Sequence, residues 1–305
     1  MTESERKSTS KTYDSMWKKF QEFCSRESKN PTNYDVPQAL KYLKSLEGRS
    51  KSYILQARCA ISQTWKEIYP DEKPLTEHPL CARLTKALKE RNPQRPNEKE
   101  KETWDVKKVL DHLKEIDSEK AGLERVSGKA VTLLALATFW RPRSDLARIQ
   151  LQDVSFSNEK VRIICTKPKE GDFKETSISY YEAEPEICPV KTLKIYLERT
   201  GERREKTKAL FITHKKPYRD ATADTLARWI SSILKETGIN ARPHSTRGVA
   251  ASNALHAGMP IESVLEKANW KSANTFKKFY LRPPENNPIR VHGVNEGHTT
   301  INESE

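Results

Sequence analysis

Residues 91–104, RNPQRPNEKEKETW, carry prolines and charges and, before Trp104, no large apolar side chain. A stretch with so little to bury cannot run through a hydrophobic core. It therefore divides the 305-residue chain into two bodies, each long enough for a core of its own. The boundaries read as an N-terminal domain over 1–92, a linker over 93–104, a second domain over 105–282 and a Pro-, Asn- and Glu-rich tail over 283–305.

Before the linker, apolar residues recur at helical spacing. Tyr13, Trp17, Phe20 and Cys24 fall at steps of three and four within 11–30, which predicts an amphipathic helix whose stripe is core. Further helices are predicted over 37–47, with Pro37 suited to a first turn, and over 50–68 and 78–91. Beyond the linker the same spacing predicts helices over 105–117, 127–140, 189–200, 222–237, 244–257 and 260–268. Among these lie two strand-like runs, KVRIICTK (160–167) and KETSISYY (174–181), joined by the turn-like PKEGDF, and a short strand ALFIT (209–213). The fold class is mainly α with a small antiparallel β-sheet: an all-helical N-terminal domain followed by an α+β domain.

Lys and Arg total 55 against 42 Asp and Glu, and the net charge of +13 favours a polyanionic partner, nucleic acid first. The five cysteines are odd in number, scattered and never in a C-x-x-C pair, so they read as reduced thiols of an intracellular protein. No run of about 18 apolar residues occurs, and the polar start MTESERKSTSK resembles neither a signal peptide nor an anchor. No membrane is expected as a partner, and the chain reads as cytosolic or nuclear. Gly-rich phosphate loops, H-E-x-x-H, EF-hand and zinc-type Cys/His spacings are all missing. No cofactor or metal is expected, and chemistry must come from side chains.

RPHSTRGVAASNAL (242–255) places His244 and Arg247 three apart at a helix start. Residues so spaced share a helix face, and the N-terminal end of a helix already favours an anion. The segment continues through a turn at Gly258 and a second helix to Trp270 and then to a run ending in Tyr280. The order H-x-x-R, Trp, Tyr resembles the C-terminal signature of the tyrosine recombinases, or phage-type integrases. ATFWRPRSDLARIQLQDV resembles their arginine box T-G-x-R-x-S-E-L, and CTKPKEGDFKET stands where their hairpin lysine is expected. The resemblance extends to the whole chain, because the family also joins a helical DNA-clamping domain to the catalytic one.

The resemblance implies a site-specific DNA recombinase, a transposase or integrase. Tyr280 would attack a DNA phosphate, form a 3′-phosphotyrosyl link and free a 5′-hydroxyl; the bond energy is conserved, so neither metal nor ATP is required. Arg247 would form half of a phosphate clamp, for which the planar guanidinium suits two oxygens. The other half is Arg141 or Arg143: counting from Thr138 selects Arg141, whereas counting back from Asp145 falls on Pro142, so the turn holds an inserted residue. The proton donor would be Lys167, with Lys169 as alternative, sharing its strand face if the strand continues. His244 would assist proton transfer or bond the phosphate; Trp270, where many members carry histidine, has one N–H to donate and no acid–base role. Asp145 would brace the site by pairing with an arginine or capping a helix. The partners implied are double-stranded DNA and a homo-tetramer on two duplexes, with the N-terminal helices closing a C-shaped clamp. The W-R-P-R-S-D-L box, the C-P-V-K-T-L segment and Trp270 resemble members from eukaryotic crypton-type mobile elements; a nuclear location follows if the host is eukaryotic, a cytoplasmic one otherwise. Two other readings share these residues: a type IB topoisomerase, and a domesticated DNA-binding protein without catalysis.

Overall fold

The computed structural model describes residues 7–91, 103–169 and 173–283. Most of the linker, the hairpin tip at 170–172 and the tail beyond Pro283 lie outside the described residues. The chain divides into two compact units, Met1–Glu98 and Lys99–Glu305.

The first unit holds α1 (Lys7–Arg26), α2 (Val36–Ser45), α3 (Lys51–Ile68) and α4 (Pro79–Arg91), with a 3-10 turn at Leu75–Glu77. Caps set the boundaries: Asp35 Oδ1 accepts the Gln38 amide at 3.0 Å, and Ser50 Oγ accepts that of Tyr53 at 3.3 Å. The helix α1 starts a turn earlier than its stripe implied, and after Arg26 Ser28 takes a left-handed φ of 52°. Phe20, Leu43, Ile61 and Trp65 form the core, and the buried indole of Trp65 donates to the Pro31 carbonyl at 2.9 Å.

The second unit is built around one helix. It opens with α5 (Val106–Lys114), capped by Asp105, and α6 (Leu123–Thr138). Every residue of α6 from Val126 to Thr138 is buried, because α7 (Pro189–Thr200), α8 (Ala223–Glu236) and α9 (Ser245–His256) pack around it. The strands β1 (Val154–Phe156), β2 (Lys160–Cys165) and β3 (Lys174–Ser179) form an antiparallel sheet in that order, with Val154 opposite Ile163 and Cys165 opposite Lys174. Val161, Ile163 and Cys165 point inward, as do Lys174, Thr176 and Ile178. The chain ends in α10 (Ile261–Ala268) and α11 (Ala273–Phe279). ALFIT is not a strand. It makes isolated antiparallel bridges, Gln150 to Ala209 and Ile212 to Asp220, and Leu210 and Phe211 between them fill core. Trp104, within the span read as linker, is 6% exposed and donates to Ser245 Oγ at 2.8 Å, so the second unit's packing begins there.

Candidate active site

Two helices end where the site begins. The last residue of α6 is Thr138, and Phe139 follows in the left-handed region at φ 57°; α10 ends at Ala268, and Asn269 follows at φ 54°. The final carbonyls of a helix lack partners in the helix and carry its negative end. Arg247, in the first turn of α9, reaches both ends: Nη1 donates to Phe139 O at 2.6 Å and Nη2 to Ala268 O at 2.8 Å. Its side chain is 0% exposed and its guanidinium lies 4.3 Å from the ring centre of Trp270 and 5.5 Å from that of Tyr280.

Over this buried cation opens a cleft of about 310 Å³ lined by Arg141, His244, Trp270, Thr275, Tyr280 and Arg282, among others. Tyr280 closes α11, its amide donating to Phe276 O at 2.8 Å, and its ring packs on Trp270 at 4.6 Å and faces the imidazole of His244 at 6.0 Å. Trp270 is 7% exposed, and its Nε1 has no hydrogen-bond partner among the described residues. A buried donor left unmade is costly, so it stands ready for an acceptor entering the cleft. His244 precedes α9 on the cleft's lip. Its pKa is lowered to about 4, first by desolvation and then by the charges of Arg141, Arg247, Lys169 and Arg282. The imidazole is therefore neutral at pH 7 and able to accept a proton.

The two candidate arginines of the box lie in different places. Arg141 is 8% exposed and lines the cleft. Arg143 is exposed and pairs with Asp224 at the start of α8, outside it. Between them the chain turns, with Asp145 N–H and Leu146 N–H both donating to Arg141 O, at 2.9 and 3.1 Å. Asp145 is fully buried; its Oδ2 accepts the Arg141 amide at 3.1 Å and lies 4.0 Å from the Arg141 guanidinium. It makes no helix-capping bond.

The hairpin lysines part company. The strand β2 stops at Cys165, so Lys167 and Lys169 do not share a strand face. Lys167 is exposed and its carbonyl accepts Arg148 Nη1 at 2.9 Å. Lys169 fastens its amide to Asp145 Oδ1 at 3.2 Å, and its charge is among those acting on His244.

Two residues at the site were not singled out in the sequence. Lys174, the first residue of β3, buries its ammonium at 2.7 Å from Asp145 Oδ2. Burial pushes its pKa down and Asp145 opposes this; the Asp145 carboxyl ends below its usual range because the charge and hydrogen bond of Lys174, with the amides of Arg141 and Lys169, outweigh desolvation. Arg282 lies in the cleft wall, with Nη1 on Tyr280 O at 2.7 Å and its amide on Ser252 Oγ at 2.8 Å. The alternation of KETSIS around core residue Ile178 was the available signal for Lys174; no comparable signal marks Arg282. Among the described residues no three His, Cys, Asp or Glu side chains gather as a metal site would need.

A neutral imidazole, a phenol, an indole N–H and several guanidinium groups around one cleft can hold a tetrahedral oxyanion beside a nucleophilic oxygen. That arrangement, on a central helix with a three-stranded sheet, defines a class. The phage integrase family model matches residues 102–286, and the chain belongs to that family, the tyrosine recombinases. Three solved structures are similar in fold. XerH site-specific recombinase bound to palindromic difH substrate, a post-cleavage complex, has a TM-score of 0.63 at 18% identity, covering 88% of this chain and 75% of that one. A λ integrase dimer bound to a COC′ core site has 0.58 at 14%, covering 95% and 94%. The Tn1549 transposon integrase in complex with transposon right-end DNA has 0.57 at 12%, covering 92% of each chain. None of the curated proteins compared with the sequence matches it.

Proposed function

We propose that the protein is a site-specific DNA recombinase, a transposase or integrase that cuts and rejoins strands through a 3′-phosphotyrosyl intermediate without metal or ATP. The observation that carries this is the gathering of Tyr280, His244, Arg141 and Trp270 around one cleft directly above Arg247. The phenolic oxygen of Tyr280 attacks phosphorus and the bond to the 5′ oxygen breaks. The phenol's proton passes to His244, and the departing oxygen takes one from Lys167 or Lys169. Attack by another strand's 5′-hydroxyl reverses each transfer, so one phosphodiester is made for each one broken.

Arg141 and the Trp270 N–H supply the positive groups for the non-bridging oxygens. Arg247 joins them once the Tyr280 ring moves off it to attack. A phosphate in the cleft offsets the cations that depress His244, which makes the imidazole a stronger base where one is needed. Double-stranded DNA is the partner, held by an N-terminal clamp; as the family resemblance implies, the working assembly is a tetramer on two duplexes. The arginine box and Trp270 support a crypton-type origin, with a nuclear site of action in a eukaryotic host.

The test is a nicked suicide duplex carrying element-end DNA, incubated in EDTA with the wild type and Tyr280→Phe and run on a denaturing gel. A covalent protein–DNA band in the wild type alone is expected. Salt-sensitive binding with no covalent band would overturn the catalytic reading and leave a DNA-binding protein; supercoil relaxation without strand exchange would point to a topoisomerase.

A further inference from the structure

One buried carboxylate fastens three parts of the second unit. Asp145 Oδ2 takes the Lys174 ammonium at 2.7 Å and the Arg141 amide at 3.1 Å, while Oδ1 takes the Lys169 amide and the Ser144 hydroxyl, each at 3.2 Å. Lys169 lies on the outgoing side of the hairpin tip and Lys174 on the returning side, so both arms are tied to the arginine box. The side chains of Lys174 and Asp145 are 1% and 0% exposed. The Arg141 guanidinium stands farther off, at 4.0 Å from the same Oδ2, with its side chain on the cleft.

Two cations thus share one anion unequally, and the distances say which holds it. In an interior of low dielectric the attraction between unit charges is several times that in water, and it grows as they approach. If the ammonium were absent, the carboxylate would be a buried charge without its closest partner. The nearest replacement is Arg141, whose backbone is already on the same oxygen. Its guanidinium would need to close from 4.0 Å to a charge-assisted contact of about 2.8 Å. An arginine so engaged has given its charge to Asp145 and turned its fork from the cleft.

We propose that Lys174 is a positioning residue, whose charge satisfies Asp145 from the sheet side and so keeps the Arg141 guanidinium presented to the cleft where a DNA phosphate binds. This rests on the recombinase reading for its substrate, though not for its electrostatics. Lys174 itself does not line the cleft: it is buried opposite Cys165 in the ladder.

The test is a charge-balance cycle of Lys174→Met, Asp145→Asn and the double variant. Each is assayed for covalent capture of the suicide duplex and for thermal stabilisation by tungstate, a phosphate mimic that needs no cleavage. Lys174→Met is expected to lower the capture rate by about tenfold or more and to abolish the tungstate shift, because Arg141 folds back on Asp145. In the double variant no carboxylate remains to draw Arg141 in, so most of both signals should return. A folded double variant as defective as Lys174→Met would overturn the proposal, as would a wild type that tungstate does not stabilise. Should Lys174→Met fail to fold, the double variant against wild type decides: retained capture and shift support the proposal, and loss of the shift sinks it. Tungstate shifts that follow the cycle in a protein giving no covalent band would sustain this inference while the recombinase reading fell.

Discussion

His244 carries the clearest residue-scale prediction. Its folded pKa of about 4 lies below the ordinary value of 6.5, so between those limits the unfolded chain binds more protons than the native one. Stability linked to this group is fully present above about pH 6.5 and is lost as pH falls toward 4. Melting temperatures of the wild type and His244→Gln, followed from pH 7.5 to about pH 4.5, should therefore diverge, with the wild type losing more on acidification. A constant offset would mean that the imidazole titrates normally. At this scale the sequence was legible where residues are local in the chain: His244, Trp270 and Tyr280 follow one another within the C-terminal segment and line one cleft, with Arg247 buried beneath it. It was not legible where pairing is long-range. Lys174 and Asp145 stand 29 residues apart and meet only when the sheet folds onto the arginine box, and which of Arg141 and Arg143 faces the cleft depended on the course of one turn. That turn leaves Arg143 on Asp224 and Arg141 on the cleft.

Among the elements, α9 has the narrowest tolerance. A Cβ on Gly248 would lie 3.0 Å from the Tyr280 carbonyl oxygen and 2.9 Å from Arg282 Nη2. The arginine tip can swing away, but the carbonyl belongs to Tyr280, the proposed nucleophile, and is held by Arg282 Nη1. Gly248→Ala should displace the Tyr280 segment, costing about 1–3 kcal/mol in stability. Covalent capture should fall further than the melting temperature implies, since about 1 Å of misplacement at a reacting atom can cost two orders of magnitude in rate. Capture at the wild-type rate would show that the segment yields freely. Helical elements were read closely because their stripes and caps are local: Pro189–Thr200 matches its expected span, and Ser50, Asp105 and Thr222 sit as caps. The helix α6 ran a turn earlier, to Leu123, since burial on all sides removes the amphipathic edge that marks a start. The strand β1 was unreadable for the opposite reason, since three residues hold too little alternation to be seen, and ALFIT was over-read as a strand where only single bridges form.

For the whole molecule, the net charge of +13 sets how binding responds to salt. Each phosphate neutralised by Lys or Arg releases counterions, and a contact set of about 6–10 phosphates loses about 10³–10⁵ in affinity between about 50 and 200 mM salt. Duplex binding by the full chain, measured by fluorescence anisotropy across that range, should fall linearly on a log–log plot with a slope of about −5 or steeper; a flat plot would remove DNA as the charge-driven partner. The two units follow from the apolar-poor stretch between them, which the sequence displays openly. Arg247 shows a dependence that the sequence conceals. It ties the Phe139 and Ala268 carbonyls at the ends of two helices while lying beneath the tyrosine, so it belongs to the packing of the fold as well as to the candidate site. Replacing Tyr280 by Phe would keep the ring that packs on Trp270, whereas discarding the arginine would remove both ties, to Phe139 O after α6 and to Ala268 O at the end of α10. In any lineage of such chains, then, the arginine answers to the architecture as well as to the site, while on the proposed mechanism the tyrosine's hydroxyl answers to the trade alone.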